Sequence, residues 1–430
     1  MNLARLNHVL IPGTKAGRDQ LRRRPLGRIV EPFVKTYYAF SPVGRAVFLF
    51  ALVAAFSGLD VQRSQNSTLW AVLFSLLVAT LAVRRLFTLT GVEIKVVGPE
   101  RVMAGRNAHF EICLQNRSDR SFHDIHIAAP FLPWDGSWTR PRASLAELGP
   151  GEGHRLTLSA RFEARGQHEL DSFSASALVP LRLAQGPRLA SAGTRFIVVP
   201  RVAPILPLEL PLSARSQPGG MALASLVGES MELVGVRPYR DGDRIRDLHA
   251  RTWARTGEPA VREYQQECCS RVGVVVDTDA KAAGEDAFEA EISLAAGIVS
   301  QLFWDDALID LLIPTHALHP LTLGRSLGYF DQALDRLACV APGPPFEAAR
   351  VEDLLRPHLS RLSSVVFISA AWSPERSALV RAFEKAGVGC RSIAVQEPKR
   401  AALPPPPNWV RVLSVGDIRQ ACETGRGIAL

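Results

Sequence analysis

Between Arg63 and Arg84 lie twenty residues, SQNSTLWAVLFSLLVATLAV, without one charged side chain. A helix of about twenty such residues covers the roughly 30 Å hydrocarbon core of a bilayer. A second apolar run, AVFLFALVAAFSGL at 46–59, precedes it and is only fourteen residues long. To cross a bilayer it must borrow FSPVG at 40–44 and let Arg45 snorkel to the headgroups. The alternative for either run is a buried core helix. The close spacing, with DVQRSQNST between the runs, favours two transmembrane helices over 46–88, arranged as a hairpin.

The charge distribution orients that hairpin. The chain of 430 residues carries a formal charge of +8, but residues 1–45 hold nine Lys or Arg against Asp19 and Glu31, which is +7. The other 385 residues therefore carry about +1 (8 − 7). Basic RDQLRRRPLGR (18–28) before the pair and Arg84–Arg85 after it place both ends on the cytoplasmic side. The first run starts too late, after too many charges, for a cleaved signal peptide. Six scattered cysteines, at 113, 268, 269, 339, 390 and 422, match no zinc or redox spacing and read as reduced thiols.

Beyond the apolar runs the pattern changes. From 91 to 205, short alternating segments such as VEIKVVGPERVMAGRNAHFEICLQNRS and ELGPGEGHRLTLSARFEARGQHEL are punctuated by Gly, Pro and Asn turns. This predicts an antiparallel β-sandwich, with FIVVPRVAPI (196–205) as its last strand. Residues 206–270 form a linker and an arginine-rich motif region. From 271 to 430, strands and helices alternate. Strands are expected at 271–278, 307–314, 363–370, 390–396 and 409–415, with helices at 286–306, 327–340 and 373–387. RVGVVVDT (271–278) is a continuous β-branched run, as a buried parallel strand requires. The alternation implies a doubly wound sheet. Ser373 caps the helix 373–387, Pro374 suits its first turn and Gly387 ends it.

Ligands of such sheets sit beyond the carboxyl ends of the strands, where Asp277 falls. Its neighbourhood, DTDAKA, is similar to the metal-ion-dependent adhesion site of von Willebrand factor A domains, whose pattern is Asp-x-Ser-x-Ser. Asp277 matches, but Asp279 and Lys281 stand at the two serine positions, and SAAWS follows the strand at 363–370 where that family has a further acidic ligand. A lysine ammonium repels a divalent cation, and hard cations need several oxygens. No metal site is therefore expected, with Asp277 and Asp279 the only weak candidates.

The motif region holds the most distinctive stretch, VRPYRDGDRIRDLHARTWAR (236–255), with six arginines among interleaved aspartates. Gly242–Asp243 suits a tight turn into a short helix capped by Asp243, on which Ile245, Leu248 and Thr252 share a face. Arg237, Arg246, Arg251 and Arg255 are placed to pair with Asp247, Glu263 or Glu267. That network knits the domains together, forms a docking face for a partner or binds an anion or nucleotide. The interleaved acids and the small excess charge exclude a nucleic-acid surface. There is no nucleophile elbow, P-loop or HExxH, and His249 has no placed nucleophile beside it, so no catalytic residue is assigned.

The spacing Arg237-x-Tyr239-x-x-Gly242-Asp243-x-x-Arg246, followed by Arg255 and VREYQQE (261–267), resembles the signature of the family called domain of unknown function 58. The resemblance extends over nearly the whole chain, from the paired apolar helices through the sandwich to the A-like domain. One departure is His249, at a place where that family carries Trp; the aromatic here is Trp253. The resemblance implies a two-pass protein of the bacterial inner (plasma) membrane, with its globular domains cytoplasmic. It further implies a non-enzymatic adaptor or scaffold without cofactor, partnered by a MoxR-type AAA+ ATPase and a client protein. Arg237, Tyr239, Gly242, Asp243, Arg246, His249, Arg251, Arg255 and Glu263 would form the docking or interdomain network. The alternative is a metal-dependent ligand receptor acting through Asp277.

Overall fold

The structure, a computed structural model, describes residues 20, 25–57, 64–140, 142–211, 232–243, 245–265, 271–279, 284–305, 307–315, 321–323, 327–397 and 405–430. It shows a mixed α/β protein rich in β-sheet. The chain divides into two compact units, residues 1–201 with 335–339, and 202–334 with 340–430.

The first unit begins with helices α1 (Pro25–Ala39), α2 (Pro42–Ser57) and α3 (Ser64–Val83). Helical structure continues through a 3-10 turn to Phe87, and Ser67–Phe87 has a mean hydropathy of 1.8 with only 11% of it buried. Among the described residues this is the one helix long and apolar enough to cross a membrane. The first apolar run differs from its expectation: α2 has 16 residues, about 24 Å at 1.5 Å each, short of the roughly 30 Å core. The two helices do pack, through buried Phe40, Ala51 and Leu77 with Val47, Phe48, Leu73 and Leu81 around them. Elsewhere they leave Phe50, Val53, Phe56, Val72 and Phe74 exposed.

Eleven strands follow among the described residues: β1 (Val92–Val97), β2 (Arg101–Met103), β3 (Asn107–Asn116), β4 (Phe122–Ala128), β5 (Gly136–Arg140), β6 (Arg142–Leu148), β7 (Gly153–Phe162), β8 (Gly166–Leu170), β9 (Ser174–Ala177), β10 (Leu189–Ala190) and β11 (Thr194–Val199). They form sheets in the orders β1-β3-β7-β5, β10-β9-β4-β6 and β2-β11-β8. Period-2 alternation drives this: along β3, Ala108, Phe110, Ile112 and Leu114 turn inward while their neighbours face out. They share one core with Ile125 and Ile127 of β4, Leu158 and Phe162 of β7, and Phe196 of β11. The last strand ends at Val199 rather than running to 205, because Pro200 and Pro204 lack the N–H a ladder needs.

Backbone hydrogen bonds tie the helices to this sandwich. Ser41 N donates to Leu183 O (2.9 Å) and Gln185 N to Ala39 O (2.8 Å). The backbones meet so closely that a Cβ on Gly44 would lie 1.8 Å from the Leu183 oxygen.

The second unit opens with a hairpin, β12 (Glu232–Pro238) against β13 (Ala260–Gln265), whose connection carries α4 (Ala250–Thr256). Then come β14 (Arg271–Val276), α5 (Glu285–Trp304), β15 (Leu308–Leu312), β16 (Leu321–Leu323), α6 (Leu327–Ala338), α7 (Ala348–Leu359), β17 (Ser364–Ser369), α8 (Pro374–Lys385), β18 (Gly389–Gln396), β19 (Arg411–Ser414) and α9 (Val415–Thr424). The sheet order is β16-β15-β14-β17-β18-β19, parallel except for β16 at one edge. Helices α7 and α8 pack Val351, Leu355, Leu379 and Phe383 on Val275, Val365 and Phe367. Alternation turns Val274, Val276, Val366 and Ile368 to the opposite face, where α5 lies along the strands beside α9. The chain winds outward from β14 in one direction, then returns to start β17 on its other side. The switch point therefore lies between the carboxyl ends of β14 and β17.

Candidate functional site

The switch point is filled by charge. Asp277 follows directly on β14, and the amide of Asp279 donates to Asp277 Oδ1 (3.1 Å). Into this pair reaches Arg376 from the first turn of α8: Nε donates to Asp277 Oδ2 (2.7 Å) and Nη2 to Asp279 Oδ2 (3.2 Å). Ser369, at the end of β17, donates to Asp277 Oδ2 (2.8 Å). Phe346 N donates to Asp279 Oδ2 (3.1 Å), and its ring lies 4.5 Å from the guanidinium carbon. Asp277, Asp279 and Arg376 are 4%, 9% and 3% exposed. Gly343 closes the loop over them: its N–H reaches Thr278 O at 2.7 Å, and a Cβ there would meet Thr278 Oγ1 at 2.2 Å.

Local sequence explains why Arg376 arrives here. Ser373 caps α8 by accepting from Arg376 N (3.4 Å), and Pro374 presets the first turn. A cation in a first helical turn opposes the macrodipole, so two buried carboxylates offset that cost. Trp372, 2% exposed, donates from Nε1 to Ser377 Oγ (3.0 Å) and holds the entry to the helix.

A third acid backs the cluster. Glu291, on the buried face of α5, is 1% exposed, and its Oε1 has no hydrogen-bond partner. Burial pushes its pKa well above the usual carboxylate range, and the Asp277 charge pushes the same way; backbone hydrogen bonds at Ala370 and Asp277 and the Arg376 charge oppose them. Burial therefore favours the protonated form of Glu291 over its carboxylate. One guanidinium is shared by the two aspartates. Both carboxylates are thus already engaged within the chain. Among the described residues, no group of three His, Cys, Asp or Glu side chains is arranged to hold a metal. Lys281 lies outside the described residues.

The arginine-rich motif has a different geometry. Arg237, on β12, makes a bidentate pair with Asp243, Nη1 and Nη2 each donating at 2.8 Å. Asp243 Oδ2 also accepts from Arg240 N (2.8 Å), and hydrogen bonds from Arg237 and then Arg240 lower its pKa. Asp243 N closes the turn onto Arg240 O (3.0 Å), with Gly242 at φ +103°. A side chain at Gly242 would be strained by that angle. Asp243 thus locks a turn, its carboxylate held by the guanidinium of Arg237. The cap of α4 is His249, whose Nδ1 accepts from Thr252 N (3.3 Å) and lies 2.7 Å from Thr252 Oγ1. The expected single helix is broken: Ile245–Asp247 is a 3-10 turn, and Ile245 is 76% exposed rather than packed with Leu248.

Tyr239 N donates to Pro259 O (2.9 Å), keeping the hairpin stem closed. Trp253, Arg251 and Arg255 stand exposed on α4, and among the described residues neither arginine has an ion-pair partner. The side chains of Arg246 and Glu263, and all of Glu267, lie outside what the structure describes. Of the predicted site residues, the structure joins Arg237, Gly242 and Asp243 in one turn and Tyr239 to the stem. Arg376, Ser369 and Glu291 went unread in the sequence. A basic residue at the third helical position and a lone acid inside an apolar helix face were the available signals.

No protein-family profile and no curated protein matches the chain. Among solved structures, it is similar to native alpha-2-macroglobulin from Escherichia coli (domain MG7 to the C-terminus), at 16% identity and a TM-score of 0.22, over 26% of this chain and 17% of that one. The CARDB domain of a Pyrococcus furiosus protein, solved with di-metal ions, gives 13% identity and a TM-score of 0.19 over 25% of this chain and 91% of that one. The PKD domain of an M14-like peptidase from a Thermoplasmatales archaeon gives 13% identity and 0.15 over 24% and 91%. Likeness at this level says nothing of activity.

Proposed function

We propose that the chain is a non-enzymatic, membrane-anchored adaptor that docks a MoxR-type AAA+ ATPase and serves the assembly or maturation of a client complex. The observation that carries this reading is the hairpin. Its turn is locked by the Arg237–Asp243 pair, while Ile245, Trp253, Arg251 and Arg255 stand exposed around it. Exposed Trp and Arg beside a rigid turn are the composition of interface hot spots. The motif's resemblance to the domain of unknown function 58 family supplies the class of partner.

The switch point supports the same reading. In a doubly wound, A-like domain a ligand would bind there, but here a guanidinium occupies the place and the buried Glu291 backs it. Anchoring rests on α3, the exposed apolar helix, with α2 packed beside it; a bacterial inner membrane and a cytoplasmic location of the globular units go with that reading. No specific observation favours the metal-dependent receptor.

The test is co-purification of the full-length chain, in mild detergent, with the ATPase of its host. Ile245→Asp with Trp253→Ala is expected to reduce recovery strongly while the thermal midpoint stays unchanged. Equal recovery from wild type and this variant removes the hairpin from the docking face.

A further inference from the structure

A cavity of about 570 Å³ in the first unit joins α1, the end of α3 and the sandwich loop before β10. Lys35 and Thr36 of α1, Leu81 and Ala82 of α3, and Arg84 and Arg85 of the following 3-10 turn line it. Its lining combines apolar residues of the last turn of α3 with three cations.

Two further cations stand beside it. The Arg45 guanidinium lies 4.8 Å from the ring centres of both Tyr37 and Tyr38, and its Nε donates to Tyr37 O (3.3 Å). Arg188 Nη2 donates to Tyr38 O (3.3 Å), its guanidinium 5.9 Å from that ring. Arg188 is exposed by area, yet partial desolvation lowers its pKa, and the Arg45 and then Arg84 charges lower it further against an opposing pull from Tyr38. Among the described residues, Glu31 is the one carboxylate ion-paired within this group, 2.9 Å from Lys35 Nζ. Three cations line the cavity, and the charges of Arg45 and Arg84 both act on Arg188 beside it, so positive charge gathers around a cavity open to a ligand. Backbone carbonyls and tyrosine faces orient Arg45 and Arg188 without neutralising them.

We propose that this cavity binds a phosphate-bearing anion, the headgroup of an anionic phospholipid, with Arg84, Arg85 and Lys35 on the phosphate and Leu81–Ala82 along the first carbons of the acyl chain. The source of the phosphate rests on the membrane reading of α3, whose last turn would then lie at headgroup level. Basic pockets at the cytoplasmic ends of spanning helices are suited to such headgroups, each cation near the surface strengthening the attraction. A free inorganic phosphate presents the same oxygens but cannot use the apolar side.

The experiment is a thermal-shift titration of the full-length protein in neutral detergent with phosphatidylglycerol, with phosphatidylcholine and with inorganic phosphate. Phosphatidylglycerol is expected to raise the midpoint and phosphatidylcholine to leave it unchanged. Arg84→Gln with Arg85→Gln is expected to weaken the phosphatidylglycerol response at least about tenfold. Lys35→Gln, an exposed site that spares the flank of α3, is expected to weaken it less. Arg117→Gln, an exposed residue paired to Glu93 elsewhere on the sandwich, is expected to leave it unchanged. A response that survives both cavity variants, or no response to either phosphate source, overturns the proposal. A response to inorganic phosphate equal to that of the lipid, lost in the same variants, overturns the lipid assignment. The membrane reading is scored separately by alkaline carbonate washing of vesicles carrying the chain: release refutes the span, whatever the titration shows.

Discussion

The switch-point cluster and the arginine-rich hairpin both pair arginine with aspartate, yet they do opposite things. At the end of the parallel sheet, Arg376 and Asp277 are nearly inaccessible and bound to each other. In the hairpin, Arg237 and Asp243 lie at the surface, side chains 34% and 18% exposed, and fix a turn whose neighbours face solvent. The lesson is that an ion pair's role follows from its burial. A desolvated pair is bound to its own chain and closes a site. A surface pair adds little stability but fixes the shape presented to a partner.

Breaking the buried pair has the largest expected effect. Arg376→Ala strands Asp277 and Asp279 as uncompensated buried charges and should cost about 3–5 kcal/mol of folding stability, read by denaturant unfolding. A variant as stable as wild type would show that the cluster is hydrated and open.

Glu291→Gln sharpens the account by pH. A raised carboxyl pKa means that the native state keeps a proton which the unfolded chain releases. That contribution is fully present below the unfolded carboxyl value and is lost as pH rises toward the folded one. The glutamine keeps the shape without this loss, so its thermal midpoint relative to wild type should climb with pH above the ordinary carboxylate range. A difference independent of pH would mean that Glu291 is ionised in the native state.

Arg237→Ala should shift stability less than either, since its pair is solvent-screened, while loosening the turn and weakening ATPase recovery. Ile245→Asp should leave stability unchanged, because its side chain is 76% exposed, and act on recovery alone. If Ile245→Asp unfolds the hairpin, the residue is packed and the docking face lies elsewhere.

The parallel strands were the most legible part of the molecule: continuous β-branched runs at 271–276 and 364–369 leave no other buried element of that length. Helix α8 was legible from its cap, Ser373–Pro374. Helix α7 was not, because Pro357 sits inside it and its first turn has no capping side chain. Strand β16, three residues long, carries too little pattern to register. Helix α9 was hidden behind a predicted strand running to Val415, the residue at which it starts. The motif's tight turn was readable from Gly242–Asp243, but the carboxylate's partner was not, since the path of the turn, and not the spacing, decides which of the neighbouring arginines faces it. Arg376 lies ninety-nine residues from Asp277, and only the sheet's return at the switch point brings them together.

The most direct test of the contrast is the thermal midpoint of the purified full-length protein with and without magnesium, for wild type and Asp277→Asn. With the guanidinium holding both aspartates, magnesium up to millimolar concentration should leave the wild-type midpoint unchanged. A magnesium-dependent rise that Asp277→Asn abolishes would contradict the closed site, and would move function from the hairpin to the end of the sheet.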